Sequence, residues 1–264
     1  MTGRADDRAG PNAAGGGAIE AVLLDIDGTL LDSNDAHAQA WSDALKEAGL
    51  EIGSEVVRPL IGMGADKLLP QLAGIDPKSD RGKPLVERRK EIFAKEYLPS
   101  VRRFPKAREL LERMRDDGLR LVVATSASED ELHGLLEALG AEWLVDDRTT
   151  SSDAKRSKPD PDIVRVALEK AGVGPDRCVM LGDTQYDVEA ASRSGVKVIA
   201  VRCGGSGDDL LRGAAEIYDD PAEILARYDE TLIGRGVSAV KGREGRRGMD
   251  RGRSGEEESH GNAV

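Results

Sequence analysis

Ala21-Val22-Leu23-Leu24-Asp25-Ile26-Asp27-Gly28-Thr29-Leu30-Leu31-Asp32 is an apolar run that stops abruptly in two carboxylates, a glycine and a threonine. Val22-Leu23-Leu24 reads as a strand buried on both faces, and open α/β sheets bind their ligands beyond the ends of such strands. Asp25 and Asp27 are therefore presented at a ligand site, and as alternate residues of an extended chain they point the same way. Two carboxylates in one site repel unless a cation or a proton lies between them, so the pair calls for a divalent metal. An Asp-Gly turn, with Asp27 and Gly28 chosen only for turn geometry, is the competing explanation.

Turn geometry leaves the downstream pattern unexplained. Leu121-Val-Val-Ala-Thr125 is a second apolar strand ending in a hydroxyl, and Cys178-Val-Met-Leu-Gly-Asp183 is a third ending in an acid, with Asp187 four residues on. Between them Lys158-Pro159-Asp160-Pro161 supplies a cation. Lys155 is the nearest competitor, but Pro159 and Pro161 fix the backbone at Lys158, and Pro161 suits the first turn of a helix over Asp162–Ala171.

In order and spacing these motifs, Asp25-Ile26-Asp27-Gly28-Thr29, Thr125, Lys158 and Gly182-Asp183-Thr184-Gln185-Tyr186-Asp187, resemble those of the haloacid dehalogenase superfamily of hydrolases. The resemblance runs from about Ile19 to Tyr228. It implies that Asp25 is a nucleophile forming an aspartyl-phosphate, and that Asp27 is the general acid and base, with a pKa above that of Asp25. It implies Mg²⁺ held by the Asp25 carboxylate, the Asp27 carbonyl and Asp183, with Asp187 acting through water. Thr125, Ser126 and Lys158 would complement the phosphoryl oxygens, and Lys158 would also keep Asp25 ionised. The resemblance gives His37, twelve positions after Asp25, a substrate-side role.

Aspartate at position 27 implies transfer to water or to a sugar hydroxyl. The expected activity is hydrolysis of a small phosphorylated metabolite. A β-phosphoglucomutase-like mutase is the alternative, and a non-catalytic scaffold a third reading. The mutase has a basic residue just after the glycine turn of its helical insertion. Here Ala65 follows Gly62-Met63-Gly64, and Lys67 is displaced.

The expected fold is a doubly wound parallel sheet with an inserted all-helical cap. The core takes 19–34 and 103–232, and the cap 35–102, as in the phosphoglycolate phosphatase and β-phosphoglucomutase branch. Ser33-Asn34-Asp35 offers N-cap oxygens, Trp41, Ala44, Leu45 and Ala48 form a helical stripe, and Gly49 ends that helix. Further helices are expected near Glu55–Leu60, Asp66–Leu72 and Pro84–Tyr97. In the core, helices over Glu129–Leu139, Asp187–Ser194 and Pro221–Tyr228 alternate with strands at Trp143–Val145, Val196–Val201 and Glu216–Tyr218. Gly204-Gly205-Ser206-Gly207 reads as a surface turn, because no Lys-Ser or Lys-Thr pair follows it as a nucleotide loop requires.

The 264 residues suffice for a core and a cap, and 3% aromatic content makes that core aliphatic. A formal net charge of −11 argues against nucleic-acid binding, despite a basic stretch at 241–253. The Gly- and Ala-rich start, 1–18, resembles neither a signal peptide nor a membrane span, and both it and 233–264 read as disordered. Cys178 and Cys203 form no ligand-spaced cluster, so a reducing cytoplasm is expected.

Overall fold

A computed structural model describes residues 18–238. Of the tails expected at 1–18 and 233–264, residues 1–17 and 239–264, with the basic stretch 241–253, lie outside the described residues. The chain begins with β1 (Ala21–Leu24), and a two-residue β2 (Leu31–Asp32) pairs antiparallel with β3 (Arg102–Arg103). Between these two short strands every regular element is helical. α1 (Asn34–Glu47) is followed by α2 (Ser54–Val57), which runs into a 3₁₀ turn, then by α3 (Ala65–Ala73) and α4 (Gly82–Ile92). A π-helical stretch, Phe93–Tyr97, continues α4.

After β3 strands and helices alternate: α5 (Ala107–Asp116), β4 (Arg120–Ala124), α6 (Glu129–Leu139), β5 (Asp147–Thr149), α7 (Asp162–Ala171), β6 (Cys178–Gly182), α8 (Gln185–Ser192) and β7 (Lys197–Val201). β8 (Glu216–Tyr218) and α9 (Pro221–Ala226) follow. The sheet is parallel, in the order β5-β4-β1-β6-β7-β8. Side chains alternate across it with period two. Val22, Leu24, Val123 and Leu181 face the layer containing α5, α6 and α9, while Leu23, Val122, Met180 and Ala200 face α7 and α8. Both faces are covered, which is why the strands read as continuous apolar runs.

Register then sets the site. Leu24 lies beside Val123 on β4 and Leu181 on β6, so the residues that follow these three strands emerge together at one sheet edge. Asp25 N–H donates to the Leu181 carbonyl at 2.9 Å, and Thr125 N–H to the Thr149 carbonyl at 3.1 Å. The polar ends of the strands are thereby tied into the ladder.

Several expectations shift. Trp143-Leu144-Val145 is not a strand: Glu142–Leu144 forms a 3₁₀ turn and the edge strand is Asp147–Thr149. Leu144 is apolar because it is buried, whereas Trp143 is 67% exposed, and an edge strand tolerates Asp147 and Arg148. Ser33 precedes α1 but makes no capping bond, its hydroxyl being used elsewhere. α8 begins at Gln185, because Thr184 and Asp187 form a reciprocal capping box. The C-terminal boundary expected at 233 falls inside helical residues 232–238, where Ile233 and Val237 are buried.

Candidate active site

Asp25 and Asp183 follow neighbouring strands and are both buried. Lys158, 1% exposed, donates from Nζ to Asp25 Oδ1 at 2.5 Å and to Asp187 Oδ1 at 2.7 Å. The other oxygen of Asp187 accepts from the Thr184 N–H at 3.0 Å and its hydroxyl at 2.6 Å. One helix N-terminus therefore anchors the lysine as well as capping itself. Lys155, the alternative cation, is exposed.

Thr29 joins the two strand-end acids. Its hydroxyl stands 3.2 Å from Asp25 Oδ2 and 3.1 Å from Asp183 Oδ1, yet it has one proton to donate. Asn34 Nδ2 donates to Asp183 Oδ2 at 2.9 Å and to the Gly204 carbonyl at 3.1 Å. Gly204 is accordingly no simple surface turn. It is buried, and a Cβ there would lie 1.8 Å from Asp183 Oδ2. Gly28, at φ +74°, is under similar constraint, since its Cβ would meet Asp183 Oδ2 at 2.2 Å. From sequence, Thr29 was only part of the first motif, Asn34 a candidate cap and Gly204 part of a turn, and none of the three had a role in the site. Proximity to Asp27 was the available signal for the first two.

Asp27 belongs to a second cluster. It accepts from the Ser33 hydroxyl at 2.6 Å, and its Oδ1 is 2.7 Å from His37 Nε2. His37 is buried and stacks on Phe93 with ring centroids 4.0 Å apart, a contact supplied by the π-helical stretch after α4. Its Nδ1 lies 2.9 Å from an Arg89 terminal nitrogen, and Arg89 in turn pairs with Glu131 at 2.6 Å. Arg89 and Glu131 carried no sequence signal, being distant in the chain and set in otherwise ordinary helices.

Asp25, Asp27, His37, Thr125 and Ser126 line one cavity of about 160 Å³, roofed by α1, α4 and the Ile61–Ala65 turn. Thr125 Oγ1 accepts the Ala127 N–H at 3.1 Å and keeps its own proton to donate. Ser126 instead donates to the Gly62 carbonyl at 3.3 Å, a contact between core and insertion. Lys67 does not line this cavity. Its Nζ is 2.5 Å from Asp160 Oδ2.

Burial pushes the Asp25 carboxyl up to about 7, with Lys158 opposing and Asp187 and Asp27 adding to the rise. Burial and the charges of Asp25 and Asp187 likewise raise Asp183 well above its ordinary value. Burial opposes ionisation of Asp27 too, but His37, Ser33 and Arg89 outweigh it and hold this carboxyl below its usual range. Without a metal ion these directions put Asp27 below Asp25, the reverse of the order implied by the resemblance, and the His37 contact that lowers Asp27 had no signal in the sequence.

The three buried acids Asp25, Asp183 and Asp187 bring one ligand atom each within 4.8 Å of one another. Two carboxylate oxygens converging on a single hydroxyl proton, in a site whose burial and like charges oppose ionisation, fit a divalent cation. Both oxygens of Asp187 already have donors. Asp25 Oδ2 and Asp183 Oδ1, by contrast, share the single Thr29 proton, which leaves this pair of oxygens with the most capacity for direct ligation.

An acid cluster at the end of a parallel sheet, a buried lysine across it and a helical roof define a hydrolase of the phosphatase kind. The chain belongs to the haloacid dehalogenase-like hydrolases, whose family profile matches residues 22–201. It is 34% identical over 224 residues to a phosphoglycolate phosphatase of Nitrosospira multiformis, spanning 81% of this chain and 95% of that protein. It is 29% identical over 220 residues to a phosphorylated carbohydrates phosphatase of Thermotoga maritima, spanning 81% and 100%. Among solved structures, a hydrolase from Pseudomonas syringae superposes with a TM-score of 0.75 at 29% identity, covering 80% of this chain and 98% of that one.

Proposed function

We propose that the protein is a Mg²⁺-dependent phosphomonoester hydrolase that passes the phosphoryl group through Asp25 to water. The observation that carries this reading is the Asp25 carboxylate, held by Lys158 Nζ at 2.5 Å, lining the same cavity as Thr125 and Asp27. The carboxylate attacks phosphorus in line, and the P–O bond to the substrate alcohol breaks as the aspartyl-phosphate forms. The departing alkoxide takes its proton from the Asp27–His37 pair, whose 2.7 Å contact makes them one proton-holding unit. Water then attacks the aspartyl-phosphate, gives its proton back to that pair and releases phosphate. Lys158 and the Thr125 hydroxyl complement the charge spread over the phosphoryl oxygens.

Asp25, Asp183 and the Asp27 carbonyl would hold Mg²⁺, with Asp187 acting through water. The ion would neutralise the phosphoryl and aspartate oxygens against each other. The mutase alternative needs a free cation beyond the helical turn to grip a second phosphate, and the capture of Lys67 by Asp160 disfavours it.

The test is phosphate release from a panel of phosphomonoesters with Mg²⁺ and with chelator, using Asp25→Asn as control. Glucose 1-phosphate to glucose 6-phosphate conversion is followed in parallel. Release that needs both metal and Asp25, with at least a thousandfold loss in the variant, is expected. Interconversion without net release would replace the reading with the mutase, and appreciable activity in Asp25→Asn would remove the nucleophile.

A further inference from the structure

Neighbouring residues on a helix face different ways, and the first two of α1 divide their work accordingly. Asn34 is buried, and its amide nitrogen gives one hydrogen to Asp183 Oδ2 at 2.9 Å and the other to the Gly204 carbonyl at 3.1 Å. Asp35 is exposed and accepts from Arg58 Nε at 2.5 Å. A terminal nitrogen of the same guanidinium donates to the Gly204 carbonyl, also at 2.5 Å. The four residues form a closed ring: Asn34 to Asp35 through the chain, then Asp35 to Arg58, Arg58 to Gly204 and Gly204 to Asn34 through hydrogen bonds. Both lone pairs of the Gly204 carbonyl are taken up by it.

This ring holds the loop after β7 against a metal-site acid. A Cβ at Gly204 would lie 1.8 Å from Asp183 Oδ2, so loop and carboxylate are already in contact. On its other side the loop is fastened to the end of β8, where Arg202 N–H donates to the Tyr218 carbonyl at 3.0 Å and Cys203 N–H to the Asp219 carbonyl at 2.9 Å. Gly204 is the first residue beyond those bonds. Gly205 follows at φ +96°, and a Cβ there would meet the Arg58 guanidinium at 2.9 Å. With Asp183 Oδ2 confined by Asn34 and the loop, Oδ1 is the oxygen turned toward Thr29, which also reaches Asp25. Arg58 itself lies in the helical insertion, in the 3₁₀ turn after α2, and does not line the cavity.

We propose that Arg58 is a positioning residue for the metal centre: it fixes the Gly204 carbonyl so that Asp183 presents Oδ1 to the cation, and the insertion thereby strengthens metal binding without supplying a ligand. The inference rests on the metal-dependent reading above and assigns part of its metal grip to the insertion. Without Arg58 the carbonyl is left to Asn34, whose amide must also serve Asp183. Loop and carboxylate are then free to shift together, and the cation meets an acid that is no longer held in one orientation. Groups that orient a metal ligand in this way govern affinity by about tenfold or more.

The test is calorimetric titration of the full chain with Mg²⁺ or Mn²⁺, without substrate, in wild type, Arg58→Met and Lys67→Met. Arg58→Met keeps the aliphatic stem but has no donor, and the fitted stoichiometry reports the binding-competent fraction separately from Kd. Lys67→Met cuts another tie between insertion and core, one that does not involve the loop, while Asp160 keeps Arg156 at 3.3 Å and Arg193 at 3.7 Å. Arg58→Met should weaken metal binding about tenfold, whereas Lys67→Met should leave Kd within about twofold of wild type. In phosphate release, Arg58→Met should raise the Mg²⁺ concentration for half-maximal rate by the same factor, with kcat at saturating Mg²⁺ nearly unchanged. Equal Kd in wild type and Arg58→Met overturns the proposal. So does a Lys67→Met variant weakened as much as Arg58→Met, since the insertion would then act only by staying seated on the core. The expected ranking of affinities with no release from any phosphomonoester would instead overturn the phosphatase reading and leave the role of Arg58 standing.

Discussion

Burial raises Asp25 and Asp183 while like charges add to the effect, and this ties stability to pH and metal. A carboxyl whose folded value exceeds its unfolded value of about 4 binds its proton more tightly in the native state. Its contribution is complete below the unfolded value and is lost as pH rises through the folded value, which for Asp25 is about 7. The metal-free protein should therefore melt at a lower temperature at pH 8 than at pH 5, a trend opposite to ordinary acid denaturation. Millimolar Mg²⁺ should cancel the difference, because a cation between the carboxylates replaces the proton. Differential scanning calorimetry in chelator and in Mg²⁺ checks this, and a pH-independent melting temperature in chelator would contradict it. Asp25, Asp27, Lys158 and Asp183 could be picked out in the sequence because motif order exposed them. The contact of His37 with Asp27 could not, since a ring 10 residues along the chain reaches that carboxylate only once α1 has formed.

The loop after β7 is built around one close approach. Gly204→Ala would put a Cβ 1.8 Å from Asp183 Oδ2, so the loop or the acid must move. Metal affinity should fall at least tenfold, whereas Gly207→Ala, with nothing within 4 Å of its added Cβ, should leave affinity unchanged. Calorimetric titration with Mg²⁺ or Mn²⁺ separates the two, and equal affinities would show that the loop yields freely. Most helices were readable from period and punctuation: α6, with its apolar stripe and Gly140, and α7, which follows Pro161 and stops at Gly172, match their expected limits. The Trp143–Val145 segment misled because only Leu144 of its three apolar residues is fully buried, in a 3₁₀ turn, while the edge strand β5 carries Asp147 and Arg148.

At the level of the whole molecule, β1 joins the two core layers and its side chains are inaccessible on both faces. Leu23→Ala removes a fully buried side chain from the centre of the sheet and should cost about 2–5 kcal/mol. Chemical denaturation should show this as a lower midpoint at unchanged slope; a loss under 1 kcal/mol would mean that the core closes around the gap. The insertion is held to the core by contacts that are remote in sequence. Arg58 reaches the Gly204 carbonyl at 2.5 Å, Tyr186 the Pro59 carbonyl at 2.9 Å, and Lys67 reaches Asp160. These contacts and the Arg89–Glu131 pair close the cavity over Asp25.

Strand identity, the helical insertion and the acids at the strand ends follow from local apolar periodicity and punctuation, which are properties of neighbouring residues. The partners of Asp27, the closeness of Gly204 to Asp183 and the pairing of Arg89 with Glu131 depend on which side chains the fold brings together. Those distances exist only after the sheet has paired and the helices have packed, because chain folding, and not sequence spacing, brings Arg89 to Glu131 and Asn34 to Gly204.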